Sequence, residues 1–294
     1  MPGRRSSQTQ SPDFLPGLGS YVRLTSKKDS DNPTREKKAL MLEVVVFILG
    51  LLIGSFLNVC IYRLPRQESI VFPASHCTAC QKPIRPYDNI PLVSFLFLRG
   101  RCRSCRAPIS WRYPLIELLH GLGYLSILYQ FGYSVQTLIY ALFFSSLVVV
   151  TFIDLSHQIV PDVITLPGMV LGLVAASTVL PPGPINSLVG LFLGGGLFYL
   201  VAVLSIALLK KEGMGGGDIK LIAMIGAFLG WKGMLLTIFL AALTGSITGL
   251  FLVFIQGRNR AEPIPFGPFL ALGAMVSLFW GAEILDWYLH LGRI

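Results

Sequence analysis

Eight blocks of apolar residues, at 44–62, 114–132, 136–153, 163–180, 187–208, 219–231, 233–255 and 268–287, most constrain how this 294-residue chain can fold. A helix needs roughly 20 apolar residues to cross the hydrocarbon core of a bilayer, within a range of about 17–25. Every block except 219–231 meets that length. Only 13% of the residues are charged, where a soluble domain carries about a quarter. The sequence therefore reads as an all-α polytopic membrane protein of about eight transmembrane helices. The short sixth block is expected to tilt, to begin in a cavity or to be partly re-entrant. Glycine pairs at Gly168/Gly172, Gly226/Gly230 and Gly245/Gly249 have the spacing that lets helices approach closely.

Lys and Arg in a membrane protein report topology first, so the net charge of +9 is no argument for nucleic acid. Segment 63–113 holds nine of these residues: Arg63, Arg66, Lys82, Arg85, Arg99, Arg101, Arg103, Arg106 and Arg112. Segments 209–220 and 256–267 add five on the same side, against only Lys232 and Arg293 opposite. Fourteen against two places 63–113 in the cytoplasm and both termini outside. Residues 1–43 carry eight Lys or Arg, which opposes their export. Residues 1–41 are rich in Ser, Pro and charge, and are expected to be a disordered extension. Met41 stands just before the first span, so residues 1–40 are expected to stem from a misassigned start.

Four of the five cysteines fall within 63–113, as C-x2-C-x21-C-x2-C at Cys77, Cys80, Cys102 and Cys105. Two such knuckles let four thiolates converge on a tetrahedral zinc ion. Four protein ligands leave no open position for a catalytic water, so the zinc is structural, stapling a small cytoplasmic zinc-knuckle domain between the first and second helices. Cys60, inside the first span, reads as a packing residue.

Acidic groups at membrane depth are costly, which makes them functional candidates. Asp154 ends the third span in "VVVTFIDLSHQIVPD", and Asp218 opens the sixth in "GMGGGDIK". The 63 residues between them suffice for two crossings, which return the chain to the face it left. Two facing carboxylates share a proton, because like charges a few ångströms apart resist joint ionisation. That is the equipment of an aspartyl hydrolase: one member takes a proton from water, the other donates to the carbonyl oxygen. Gly215, Gly216 and Gly217 are expected to let backbone approach backbone and to adopt positive φ, so that an extended substrate can lie beside Asp218. Helix capping is the competing role for Asp218 and the preferred one for Asp162, which follows Pro161. Phosphate binding is excluded, since G-x-G-x-x-G would need glycine at position 218 and no Ser or Thr follows Lys220. His157 reads as polar loop surface.

Taken together these residues resemble the type IV prepilin peptidases, the bifunctional leader peptidase/N-methyltransferases of pilus and type II secretion systems. That family has an aspartate ending one span before an IPD-like turn, and GxGD opening another. Here these are Asp154 with Val160–Pro161–Asp162, and Gly215, Gly216, Gly217 and Asp218. "GSFLNVCIYRLPR" (54–66), "RPYDNIPLVSFLFLRGRCRSC" (85–105), "ISWRYPLIELLHG" (109–121) and "IPFGPFLALG" (264–273) resemble the family too, so the likeness covers about residues 42–290. Val160 in place of the usual Ile and the N-terminal extension are departures that do not touch the chemistry.

The resemblance implies catalytic Asp154 and Asp218, supported by Gly215, Gly216, Gly217, Pro161 and Asp162. It implies cleavage of type IV prepilins and type II secretion pseudopilins at a Gly–Phe type bond, on the cytoplasmic face of the bacterial inner membrane. It also implies methylation of the new N-terminus from S-adenosylmethionine. Glu117 is a candidate for that second reaction, because it lies in an otherwise apolar segment; the alternative is an interfacial pair with Arg112. The expected organisation is an extension (1–41), a first helix (42–62), the zinc-binding domain (63–113) and a seven-helix peptidase core (114–290), with membrane lipids as further partners. A transporter or channel would predict inverted repeats and several charges deep in spans. A zinc-ribbon scaffold would predict that the aspartates only cap helices.

Overall fold

A computed structural model of the chain describes residues 33–210, 213–254 and 264–291. Residues 1–32 of the expected extension lie outside the described residues. The first helix, α1 (Pro33–Arg63), begins upstream of the first apolar block, so residues 33–41, expected in the extension, are helical. A short helix, α2 (Val93–Phe97), lies within the cysteine-bearing segment. Then come α3 (Arg112–Phe131), α4 (Val135–His157), α5 (Asp162–Thr178), α6 (Gly183–Leu209), α7 (Gly216–Phe254) and α8 (Gly267–Leu291). Among the described residues the only extended pairing is two isolated bridges, His76–Pro83 and Arg101–Pro108.

Five of these helices, α1, α4, α6, α7 and α8, are long and apolar enough to cross a membrane, and α5 is a shorter apolar helix. The chain is thus all-helical and membrane-spanning by length and composition, with Glu117 and His120 in the body of α3 making that helix more polar.

The blocks 219–231 and 233–255 were expected as two spans. They are the two halves of α7, joined at Gly230, whose φ of 69° and ψ of 177° break the helix. No L-residue adopts that φ readily, and a Cβ there would also lie 3.0 Å from the Pro182 side chain. Every residue from Leu221 to Gly230 is buried. A helix that is apolar all round belongs in the interior, which explains why this block is too short to face lipid by itself. Its close neighbour is α6: a Cβ on Gly226 would lie 2.2 Å from the Gly190 carbonyl oxygen, so backbone meets backbone at that crossing. The glycine rule thus holds at Gly226, with Gly190 on another helix as its partner.

α7 packs chiefly against α6 and α8, and α1 chiefly against α3. Phe143 of α4 stacks on Phe228 of α7, with ring centroids 4.4 Å apart, at the centre of a core that includes Leu147, Val150, Met224 and Leu270. Cys60 is buried in α1, as expected of a packing residue. The architecture is two helical halves: an α1/α3 pair carrying the cysteine segment, and an α4–α8 bundle built round the first half of α7.

Candidate active site and metal centre

Asp154 sits in the last turn of α4. The helix stops because Gln158 takes a left-handed conformation (φ 54°) and returns its N–H to the Asp154 carbonyl at 2.8 Å. Pro161, fixed in an extended conformation, then opens α5, its carbonyl accepting from Ile164 N–H at 3.1 Å. The Asp154 side chain is 5% exposed. Its Oδ2 accepts the Gly267 N–H, the start of α8, at 2.9 Å. A carboxylate at a helix N-terminus meets the positive end of the backbone dipole. Position 267 must be glycine here, since a Cβ would stand 2.6 Å from that same oxygen.

Asp218 lies in the first turn of α7, half-buried, with its N–H donating to the Gly215 carbonyl at 3.1 Å. It interacts electrostatically with Asp154, so the two acids share one region although 63 residues separate them. Among the described residues its carboxylate accepts no hydrogen bond that would mark it as a helix cap.

Of the two roles expected of the glycines, close approach holds at Gly217 and positive φ does not. None of Gly215, Gly216 or Gly217 has positive φ. Gly217 serves close approach: a Cβ there would lie 2.8 Å from Val160 Cβ, so the α4–α5 turn rests directly on the start of α7. A Cβ on Gly215 would come 3.7 Å from the Asp218 carboxylate, and one on Gly216 would meet nothing within 4 Å. Asp162 is not a cap either. It makes no capping hydrogen bond, and its two oxygens receive Lys220 Nζ at 2.7 Å each. That pair is a second clamp, between α5 and α7, so that the two contacts fall on either side of Asp218 in sequence. Gly267 and Lys220 are the site residues that sequence reasoning missed. The only signal for the first was the stretch "IPFGPF"; for the second, a lysine two residues after Asp218. His157 is exposed, as expected.

The four predicted cysteines converge. Their sulfurs all lie within 4.8 Å of one another, and Cys77 Sγ is 3.8 Å from Cys105 Sγ. A metal bound at about 2.3 Å to each thiolate sets sulfurs about 3.8 Å apart in a tetrahedron, so the donor set fits. The two knuckles repeat one geometry. Cys77 N–H donates to the Lys82 carbonyl and accepts Gln81 N–H on its own carbonyl; Cys102 does the same with Ala107 and Arg106. Gln81 and Arg106 both take left-handed φ, 58° and 62°. Backbone N–H groups of Cys105 and Ser104 push the Cys102 thiol down to about 6, the thiolate form a metal takes. Asp88, in the short turn Pro86–Asn89, is joined to Arg103 of the second knuckle through a bidentate pair of 2.6–3.1 Å.

Glu117 is 8% exposed and does not pair with Arg112. Its Oε2 accepts Leu92 N–H at 2.8 Å, and the Ser55 side chain also bonds to the carboxylate. Arg112 instead approaches Ser156 Oγ at 3.3 Å and lies 5.3 Å from the Phe152 ring centre. The alternative reading of Glu117, an interfacial ion pair with Arg112, thus gives way to a tie from α3 to the cysteine segment.

Fold and site together describe a helical membrane protein with a carboxylate pair between helix ends and a separate thiolate cluster. The profile described as type IV leader peptidase family matches residues 141–250, and that of the bacterial peptidase A24 N-terminal domain matches 48–131. The chain is 38% identical over 273 residues to a prepilin leader peptidase/N-methyltransferase of Aeromonas hydrophila, covering 83% of this chain and 93% of the relative. It is 40% identical to one from Stutzerimonas stutzeri (84% and 93% covered) and 39% identical to one from Pseudomonas aeruginosa (83% and 92%). No solved structure matches the chain. The chain belongs to the type IV leader peptidase family.

Proposed function

We propose that this protein removes the leader of type IV prepilins and methylates the new N-terminus, with Asp154 and Asp218 as the carboxylates that cleave the peptide bond. It is an integral membrane enzyme of the inner membrane. The assignment of the acids is supported by the packing of the α4–α5 turn on the start of α7, through Val160 against Gly217 and the Asp162–Lys220 pair, with Asp154 near enough to Asp218 to act on it electrostatically.

In the reaction the ionised carboxylate accepts a proton from a water whose oxygen attacks the scissile carbonyl carbon. The protonated carboxyl donates to the carbonyl oxygen. Collapse of the tetrahedral adduct breaks the C–N bond, and the amine departs with a proton from the pair. Gly267 N–H, donating to Asp154 Oδ2, orients that carboxylate through both steps. The Lys and Arg of segment 63–113 support a cytoplasmic position for the acids by the charge rule, beside a leader that precedes a hydrophobic helix. Pseudopilins of type II secretion share that chemistry and are substrates in this reading.

S-adenosylmethionine, when bound, supplies the methyl group that the new amine takes. Glu117 is held by Leu92 N–H and Ser55, surroundings that support a structural tie between α3 and the cysteine segment. Cys77, Cys80, Cys102 and Cys105 would hold a structural zinc ion that fixes the two knuckles. The domain division is then a cysteine domain at 63–113 inserted after the first helix, and a peptidase core at 114–290.

The test is prepilin cleavage in detergent by wild type, Asp154→Asn and Asp218→Asn. Asn keeps volume and hydrogen bonding while removing proton transfer. Loss of cleavage in either folded variant is expected; normal cleavage by both overturns the assignment.

A further inference from the structure

α3 is 20 residues long, about 30 Å, which matches the hydrocarbon thickness of a bilayer. α3 is more polar than the five helices that are long and apolar enough to cross a membrane, but with block 114–132 read as a span, Arg112 and Phe131 mark its two boundaries. Glu117 stands five residues, about 7.5 Å, inside the first boundary. Ser55, which bonds to the same carboxylate, stands eight residues, about 12 Å, back from Arg63 along α1. Asn58 Nδ2 donates to the Tyr113 carbonyl at 3.1 Å and locks the two helices at this level. A helical side chain leans toward its own N-terminus, so Glu117 reaches up by about one turn. The Leu92 N–H it accepts thus lies level with the first turn of α3, not in the water above it.

The chain continues from Leu92 into α2. One side of α2 is tied down: Ser94 is buried, accepts Ile90 N–H and donates to the Tyr87 carbonyl. Phe95 meets Trp111 edge to face, with centroids 4.8 Å apart. The other side carries Leu96 and Phe97, 70% and 84% exposed, and Trp111, although it meets Phe95, is itself 75% exposed. Leu115, one turn further along α3, is exposed as well. Four large apolar side chains of α2 and the start of α3 are thus left exposed. Arg99 and Arg101, both exposed, follow at once.

We propose that α2 is an interfacial anchor: Leu96, Phe97 and Trp111 sit in the boundary between headgroups and acyl chains, while Arg99 and Arg101 bind anionic phospholipid headgroups. Trp at the membrane boundary is the usual aromatic anchor, and basic residues just outside it favour anionic lipid. The occupant is lipid rather than substrate because this face belongs to the α1/α3 half, whereas the two aspartates are held by α4, α7 and α8. The anchor holds the cysteine segment flat against the leaflet. It rests on the membrane-spanning reading of α1 and α3 and is independent of the carboxylate chemistry.

The experiment replaces Phe97→p-benzoylphenylalanine in the full chain, in nanodiscs of about four parts phosphatidylcholine to one of phosphatidylglycerol. After irradiation, intact mass is expected to show addition of one phospholipid. Phosphatidylglycerol should rise from about one fifth of the lipid to more than half of the adduct, since each basic residue is worth about a five-fold shift in the ratio of anionic to neutral lipid. Arg99→Gln should reduce that enrichment. The same substitution at Leu96 guards against a local folding failure at 97. No lipid adduct at either position, an adduct within the chain, or an adduct that forms only when prepilin is added each overturns the anchor. An adduct without enrichment overturns the role of the arginines. Repeating it with Asp218→Asn separates the anchor from the peptidase reading, because lipid capture should be unchanged.

Discussion

Two carboxylates in this chain meet the same fate by different means. Asp154 and Glu117 are both nearly buried, and each accepts one backbone N–H from a remote segment, Gly267 at 2.9 Å and Leu92 at 2.8 Å. An unpaired acid at that depth is costly, and a backbone donor is the least demanding partner, because it fixes position without adding another charge. The difference lies in what stands opposite. Glu117 has the Ser55 side chain; Asp154 has a second carboxylate, Asp218. A hydroxyl completes a structural tie. A second acid creates a site that can hold one proton and pass it on.

The strongest way to break this contrast is to neutralise the acids. Asp218→Asn or Asp154→Asn is expected to lower cleavage by about 10²–10⁴-fold, the usual worth of a positioned acid or base, with the helical circular dichroism unchanged. Glu117→Gln should leave cleavage within a few-fold of wild type. If Glu117→Gln were as damaging as Asp218→Asn, the two carboxylates would be alike in kind and the contrast would fail. Next in size is Gly267→Ala. The new Cβ must displace the Asp154 carboxylate, and a misplacement of about 1 Å costs on the order of 10²-fold. The loss should appear in kcat, with KM for prepilin little changed.

These positions differ in how far the sequence revealed them. Asp154, Asp218 and the four cysteines were legible because their signals are local: an acid at the edge of an apolar run, and thiols at a fixed spacing. The eight helical blocks were legible for the same reason, although the sixth and seventh proved to be one helix broken at Gly230. The Asp154–Gly267 hydrogen bond joins residues 113 apart, and nothing in either neighbourhood announces the other. Asp162 looked like a cap because it follows proline at a helix start; its partner, Lys220, lies on another helix. Gly217 was expected to take positive φ and to admit a substrate backbone; it has no positive φ, and the segment that approaches it is this chain's own Val160. In each case local chemistry named the residue, and packing decided its use.

The cysteine cluster sharpens the contrast from the other side. Metal removal by a chelator, or Cys77→Ser, should open segment 63–113 to protease and lower its thermal midpoint, since such small domains depend on their metal. Cleavage should fall less than with Asp218→Asn, because no cysteine touches the two aspartates. Below that in size comes Glu117→Ala, which leaves the Leu92 N–H without its acceptor. A buried donor left unsatisfied costs about 1–3 kcal/mol, to be read in the thermal midpoint. Glu117→Gln, which keeps an acceptor oxygen, should recover most of it.

The smallest effect concerns an acid outside the membrane. Arg103 forms a bidentate pair with Asp88, and this hydrogen bond holds the Asp88 carboxyl below the usual carboxylate range. A carboxyl whose folded pKa is depressed contributes stability that is fully present above its unfolded value, about 3.9. The contribution is lost as pH falls toward the folded value. Arg103 is half exposed, so solvent screens the pair and keeps its worth small. The thiolates of the metal cluster also take up protons in acid, so wild type alone would not isolate the pair. The informative quantity is the difference in thermal midpoint between wild type and Asp88→Asn. That difference should be present and constant from pH 7 to about pH 5, then shrink below about pH 4. A difference that persists undiminished at pH 3 would mean that Asp88 holds the knuckle through its shape and not its charge. It would then resemble Glu117 more closely than its exposed partner implies.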